Sequence, residues 1–521
     1  MKHALCCFLL MLLAGTASAA DYYVATSGDD SNSGLRRSPW KTIARANRAL
    51  EAGDTVYIMP GEYRDQIAPA RSGTSERYII YSGYGQEPPV ITGSPGRIAI
   101  MLDNRSYVRI TGIVVDGKGV YRKSNLDGWI RAEQSDHIII QDSSFKNAKG
   151  WTAADFDGSH YSKILNNRFD TVGTNFDLNH KGDPMVGDML TLHCADHNLI
   201  EGNYFTRAGH SLMAVDGNYN IVRKNVFENK WSDQSGYRAL ELTANMRYCE
   251  RAVGHTLFEK NVVKNSFKPY GETNKGESAM KVEGVGQIVR KNLYYNNYGW
   301  ATTSAIRPPR IPRSENNRIY NNTIVKNAGL WSLREYGAGE AVNNIFQNNL
   351  VTNSTVQDVS GDDNEGNRFI ANALRPSSGK SLYAYTVKAA PSFVANDPSL
   401  DGAFHLKPDS VMIDAGQYLT KTTKAGSGNI VPVNDAGWFS DGFSIVDGDL
   451  VRIGNNNPVR VVQVDYEANI LVLKSPISWS NGARVSLPYS GAAPDIGAFE
   501  YQQGITPGKS RAPTGLAITK G

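Results

Sequence analysis

The feature that most constrains this chain is a short phrase it repeats: an apolar residue, two residues of any kind, an Asn, one further residue and a second apolar residue. Copies begin at Ile164, Ile200, Val222, Phe258, Val289, Ile319 and Phe346, which puts the Asn at Asn167, Asn203, Asn225, Asn261, Asn292, Asn322 and Asn349. Two earlier copies, Ile110–Val115 and Ile140–Phe145, lack the Asn. Successive copies start 22 to 36 residues apart. A constant phrase at variable spacing describes a solenoid whose strands are fixed and whose loops vary on the outside. An Asn suits one place per rung because it tolerates a left-handed corner and because its amide can pair with the Asn above and below. Leucine-rich repeats also stack an Asn, but they need a dense leucine consensus that is absent here. The expected fold is all-β: a right-handed parallel β-helix.

The ends and the interruptions of the repeat divide the chain. Lys2 and His3, the apolar run Ala4–Ala14 and the small residues Ala17-Ser18-Ala19 form an export signal over 1–19. The run is too short to span a bilayer, so a soluble monomer, secreted or periplasmic and without membrane insertion, is expected. Residues Pro39–Ala52 place Ile43, Ala46, Ala49 and Leu50 at a helical period, and Gly53 ends the pattern. That helix suits the cap of a β-helix running over 20–425. Within 426–491 the repeat gives way to short alternating strands at Leu450–Ile453, Val459–Val464 and Ile470–Leu473, which predict a small inserted β-domain. A closing strand over 492–502 and a disordered tail over 503–521 follow. The net charge of +4 is too small to argue for nucleic acid, while an acidic glycan is permitted. Cys194 and Cys249 are left once the signal is removed, and either a disulfide or two buried thiols fits.

Tyr22-Tyr23-Val24, Thr55-Val56-Tyr57-Ile58 and Gly61-Glu62-Tyr63, followed by the Asn rungs, resemble the exported parallel β-helix proteins. These include polysaccharide lyases of the chondroitinase B, alginate lyase and pectate lyase kinds. The resemblance implies an acidic, uronate-containing polysaccharide as substrate and cleavage by β-elimination. It also implies a Lys or Arg base, commonly with a Ca²⁺ held by carboxylates. The Glu-x-Glu pair that chondroitinase B-like enzymes carry before their Lys is absent, as is the paired Asp motif of polygalacturonase-like hydrolases.

The strands that precede the repeated phrase indicate where such chemistry would lie. Ser211–Gly217 and Ser278–Gly284 superpose without a gap, and if Met213, Val215, Met280 and Val282 point inward, their neighbours point out. One outward column then reads His193, Ala214, Glu241, Lys281, Arg307, with Asp216, Thr243 and Glu283 beside it. β-Elimination needs a base for the C5 proton, positive charge or a metal at the carboxylate, and an acid for the leaving oxygen. Lys281 is the expected base, Arg307 the carboxylate clamp and His193 a third catalytic group. Asp216, Glu241 and Glu283 are the expected Ca²⁺ ligands. The Arg307–Arg313 run offers Arg310 and Arg313 to an anionic substrate, and Trp231 and Trp300 suit stacking on sugar rings. Trp129, Trp151 and Trp331 also fall in or beside variable loops, as do His180, Lys181, Asp183 and Asp188. The same charges could instead be plain cross-strand ion pairs. Two alternatives to a lyase stand: a glycoside hydrolase with Glu241 and Glu283 as its pair, and a non-catalytic glycan-binding surface protein.

Overall fold

A computed structural model describes residues 18–506. Within that span it leaves out 94–97, 119–127, 174–186, 230–237, 243–248, 250–252, 267–277, 298, 307–312, 336–339, 354–358, 361–365, 375–382, 385–386, 388–389, 398–399 and 401. Three long parallel sheets of fourteen, eleven and ten strands run its length, each strand pairing with its counterpart one rung on. This is the parallel β-helix that the repeat predicts. The first apolar residue of each phrase registers with the next: Ile110, Ile140, Ile164, Ile200, Val222, Phe258, Val289, Ile319 and Phe346 form one unbroken column in the fourteen-stranded sheet. The second apolar residue does the same in the eleven-stranded sheet, from Val115 through Phe145, Phe169, Phe205 and Phe227 to Val351. Inside, Phe145, Phe169, Phe205 and Phe227 stack face to face at 4.9 to 5.0 Å. Each such fully buried ring contributes roughly 1.5–3 kcal/mol.

The Asn residues form a directed ladder. Each side-chain Nδ2 donates to the Oδ1 of the next Asn at 2.9 to 3.2 Å, from Asn167 to Asn372. The same Oδ1 accepts the backbone N–H of the preceding ladder residue. A second Nδ2 bond reaches the anchor carbonyl one rung back, as from Asn225 to Ile200 at 2.9 Å. These buried amides are therefore satisfied in the corner where the backbone itself lacks partners. The left-handed residue is one place earlier than the sequence suggests. Positive φ falls on Asn166, Gly202, Lys224, Lys260, Lys291, Asn321 and Asn348. The ladder Asn is needed for its amide, and its neighbour takes the corner.

The cap contains one α-helix, Ile43–Ala49, whose N-cap Thr42 accepts from the Arg45 N–H at 3.1 Å. Ile43, Ala46 and Leu50 close the end of the core. Cys194 and Cys249 are joined in a disulfide with Cα atoms 5.2 Å apart. Outside the solenoid, Tyr107, His137, Tyr161, His197, Tyr219 and His255 stack ring on ring along one corner at 4.5 to 5.3 Å, every one at positive φ.

Near the C-terminus a six-stranded antiparallel sheet forms from Thr420–Lys421, Gly426–Pro432, Leu450–Ile453, Val459–Asp465, Ile470–Trp479 and Arg484–Ser486. It covers the outer face of the fourteen-stranded sheet. There Leu199, Ile221, Leu257, Ile288, Tyr320 and Ile345 pack against Val431, Val433, Trp438 and Phe439. Arg290 crosses this junction and donates to Asp449 at 2.6 and 2.7 Å and to Glu259 at 2.9 Å. Arg318 meets Asp435 at 2.9 Å. Beyond the sheet the chain returns to the solenoid, where Asn321 donates to the Asp495 carbonyl and Ala498 to the Thr323 hydroxyl.

Candidate functional site

The outer face of the ten-stranded sheet carries ionisable groups on successive rungs. Its middle strands are Ile130–Glu133, Thr152–Asp157, Asp188–His193, Ser211–Asp216, Arg238–Leu242, Ser278–Val282 and Trp300–Ile306. Inward positions are apolar and closed to solvent: Leu192, Val215, Leu242 and Val282 form one column, Met213, Leu240 and Met280 another. That burial fixes the register, because a slip of one residue would turn every apolar side chain outward.

Two outward columns result. The first reads Arg131, Asp155, Thr191, Ala214, Glu241, Lys281. The second reads Glu133, Asp157, His193, Asp216. The expected column is thus corrected at His193, which registers with Asp216 and leaves Thr191 beside Ala214. The cause is Cys194: it sits at φ 51°, so the strand turns after His193 instead of running on through Cys194. At the other end, Thr303 registers with Lys281, and Arg307 lies outside the described residues, as do Thr243, Arg310, Trp231, His180, Lys181 and Asp183.

The ionisable groups on this face come in small sets. Lys281 Nζ lies 3.1 Å from Glu241 Oε1, and each side chain is only 10% exposed. His193 Nδ1 lies 3.1 Å from Asp216 Oδ2. Burial works against the His193 imidazolium, but the hydrogen bond and charge of Asp216, with Asp155 and Asp157 adding, outweigh it and raise its pKa. Asp157, opposite His193 on the next rung, is held above the usual carboxylate range by burial and by the charge of Asp155. Asp155 accepts from the Thr191 hydroxyl at 2.7 Å. Arg131 bonds Glu133 and lies 3.3 Å from Asp103. His193 and Lys281 stand three rungs apart, about 14 Å at the spacing of neighbouring strands. One sugar ring cannot touch both; a chain laid along the sheet can.

Several expected roles change. Glu283, just past its strand, is fully buried. Trp300 lies within a strand and is 5% exposed, so its ring packs inside rather than waiting for a sugar. Trp129 and Trp331 are likewise interior, their indole N–H groups bonded to the Lys146 carbonyl and the Ser304 hydroxyl. Trp151 is exposed. Arg313 is solvent-facing and lies 3.2 Å from Glu315. Asp188 begins its strand and meets His210 Nδ1 at 2.8 Å. Asp155 and Asp157 were missed, although Asp-Phe-Asp in the strand Thr152–Asp157 carries the alternation that marks them as outward.

A Ca²⁺ ion needs roughly six to eight oxygen ligands around one point. The three carboxylates expected to supply them do not converge: Asp216 faces His193, Glu241 faces Lys281 and Glu283 is buried. Among the described residues no group of three or more His, Cys, Asp or Glu side chains is placed to hold a metal ion. The described residues do not fit the expected Ca²⁺ site.

Comparisons with known proteins bear on the scaffold. The uncharacterised protein YwoF of Bacillus subtilis (strain 168) is 29% identical over 155 residues, which cover 28% of this chain and 33% of that protein. The chain thus spans about a third of the length of that relative. Among solved structures, pectate lyase Pel9A is similar over 94% of this chain and 98% of its own at 16% identity, with a TM-score of 0.44. The alginate lyase AlyGC of family PL6 is similar over 71% and 55% at 17% identity, TM-score 0.45. The lacto-N-biosidase of Eubacterium ramulus, of family GH136, is similar over 67% and 68% at 14% identity, TM-score 0.38. A family model described as "Pel9A-like, right handed beta helix region" matches residues 22–317, a stretch that includes every rung from the cap to the Lys281 strand. The rungs that set Glu241 beside Lys281 and Asp216 beside His193 are that region, and the chain belongs to the Pel9A-like right-handed β-helix family.

Proposed function

We propose that this protein is an exported polysaccharide lyase that cleaves an acidic, uronate-containing glycan by β-elimination along the outer face of the ten-stranded sheet. The observation that carries the reading is Lys281, held 3.1 Å from Glu241 on an outward column that continues into Asp155 and Thr191 and runs beside His193 and Asp216. Lys281 takes the C5 proton of the uronate. The C4–O bond breaks as the C4=C5 bond forms, and the leaving oxygen takes up a proton from water. Glu241 positions Lys281. In this reading Arg307 clamps the substrate carboxylate, and Arg310 and Arg313 bind further carboxylates of the chain. The His193–Asp216 pair holds the chain about three rungs away. A Ca²⁺ ion, if one serves the carboxylate, needs ligands beyond Asp216, Glu241 and Glu283.

The test is incubation of the mature protein with pectate, alginate and glycosaminoglycan polymers, with and without a chelator, following the ultraviolet absorbance of unsaturated products. Lys281→Ala should lower turnover by about 10²–10⁴-fold, the usual worth of a positioned base, and Lys281→Arg should not restore it. Full activity in Lys281→Ala would remove Lys281 as the base. New reducing ends without the absorbance would mean hydrolysis, and binding without depolymerisation would leave no enzyme to explain.

A further inference from the structure

The inserted sheet has a groove of its own. Tyr418, Tyr489, Arg452 and Arg484 line a cavity of about 780 Å³, together with Asn455 and Trp479. The Arg484 guanidinium lies over the Tyr418 ring at 4.5 Å and donates to its hydroxyl at 3.0 Å. The Arg452 guanidinium lies over the Tyr489 ring at 4.8 Å. The two tyrosines meet edge to face at 5.6 Å.

These arginines differ from those that dock the sheet. Arg290 and Arg318 are spent on Asp449, Glu259 and Asp435. Arg452 and Arg484 have no carboxylate partner among the described residues. The carboxylate beside the rim, Asp414, accepts from the Ala492 and Ala493 backbone. The walls are fixed in advance. The Tyr418 hydroxyl donates to the Ala492 carbonyl at 2.7 Å, its own carbonyl accepts from Gln347 of the solenoid, and the Trp479 indole donates to the Lys424 carbonyl at 2.9 Å. Planar guanidiniums held on aromatic faces match a carboxylate in two-point geometry, and tyrosine rings match the C–H face of a sugar. Preorganised walls lower the ordering cost of binding.

We propose that this groove is a second glycan site that binds a carboxylate-bearing sugar, so that the inserted sheet tethers the enzyme to an acidic polysaccharide. The proposal rests on the reading of an acidic-glycan substrate for the ten-stranded face, but the groove shares no residue with that face.

A fluorophore on Asn455→Cys, at the exposed rim, reports the groove and not the Lys281 face. With the mature chain carrying Lys281→Ala, so that turnover is slow against the measurement, galacturonate and alginate tetramers should give a saturable signal. Methyl-esterified galacturonate tetramer should not. Adding Arg452→Gln and Arg484→Gln should weaken binding about tenfold or more, and Arg484→Lys, which keeps the charge but loses the fork, should weaken it in part. Unchanged affinity in the double variant with its fold intact by circular dichroism, equal binding of the ester, or no signal from either tetramer would overturn the proposal. A binding groove on a protein that forms no unsaturated product would sustain it while removing the lyase reading.

Discussion

Two faces of one solenoid can be compared directly. On the fourteen-stranded sheet the outward positions Leu199, Ile221, Leu257, Ile288 and Ile345 are apolar and lie under the inserted sheet. On the ten-stranded sheet the outward positions of the corresponding rungs are Thr191, His193, Asp216, Glu241 and Lys281, and among the described residues no second sheet packs on them. Inward residues on both faces are alike. The core decides the fold, and the outward residues decide what each face meets: protein in one case and, in our reading, polysaccharide in the other. A buried ion pair exists on each face, but it serves a different end. Arg290 ties two parts of the chain together, while Lys281 is paired with Glu241 within the ten-stranded sheet itself.

Substitution should separate the two. Arg290→Ala would remove the guanidinium shared by Glu259 and Asp449, and losing one partner of a buried pair costs about 3–5 kcal/mol. Hydrogen exchange should then show the strands Leu450–Ile453 and Val459–Asp465 opening by that amount more readily, with the solenoid rungs unaffected. Should Lys281→Ala open its rung as far, the two pairs would be equivalent and the contrast would fail. Next in size, Leu257→Ala removes an outward apolar contact and should cost about 2–4 kcal/mol at the same junction. Thr191→Ala on the ten-stranded face removes the hydrogen bond to Asp155 and should cost about 0.5–1.5 kcal/mol, which differential scanning calorimetry can compare.

The smallest effect is that of pH. Burial lowers the pKa of His137, His197 and His255 in the ring stack, which meets the inserted sheet where His255 packs on Tyr466 at 5.0 Å. Below about 6.5 the unfolded chain then binds protons that the folded one resists, so their contribution is complete above that value and is lost as the pH falls through it. His193 behaves oppositely. Its raised pKa gives stability that is present below about 6.5 and is lost as the pH rises through the folded value. Acid should therefore loosen the covered corner before the charged face. Hydrogen exchange at pH 5 and pH 7.5 measures the order, and His255→Phe should reduce the difference.

The solenoid was legible because its signal is repeated. A wrong guess for one rung is corrected by the next, and all nine anchors fall in register. The site was less legible because it rests on single residues. Placing His193 depended on knowing that the strand ends there, and only the left-handed Cys194 reveals it. Trp300 and Glu283 looked available because loop lengths hide which side chains the core absorbs. Cys194 and Cys249 are 55 residues apart in sequence, and nothing in that spacing announces that the turns of two rungs bring them together.

The Asn ladder points one way. Along the Asn-to-Asn bonds each Oδ1 accepts from the rung before it and each Nδ2 from Asn167 to Asn349 donates to the rung after, so the ladder closes again if a complete turn is removed or duplicated, but not if half a turn is. Length in this architecture is quantised. Recombination between rungs would lengthen or shorten the outer faces in steps of one strand spacing, about 4.8 Å. Preference for longer or shorter polymers could then change during evolution in whole increments, without redesign of any reacting group.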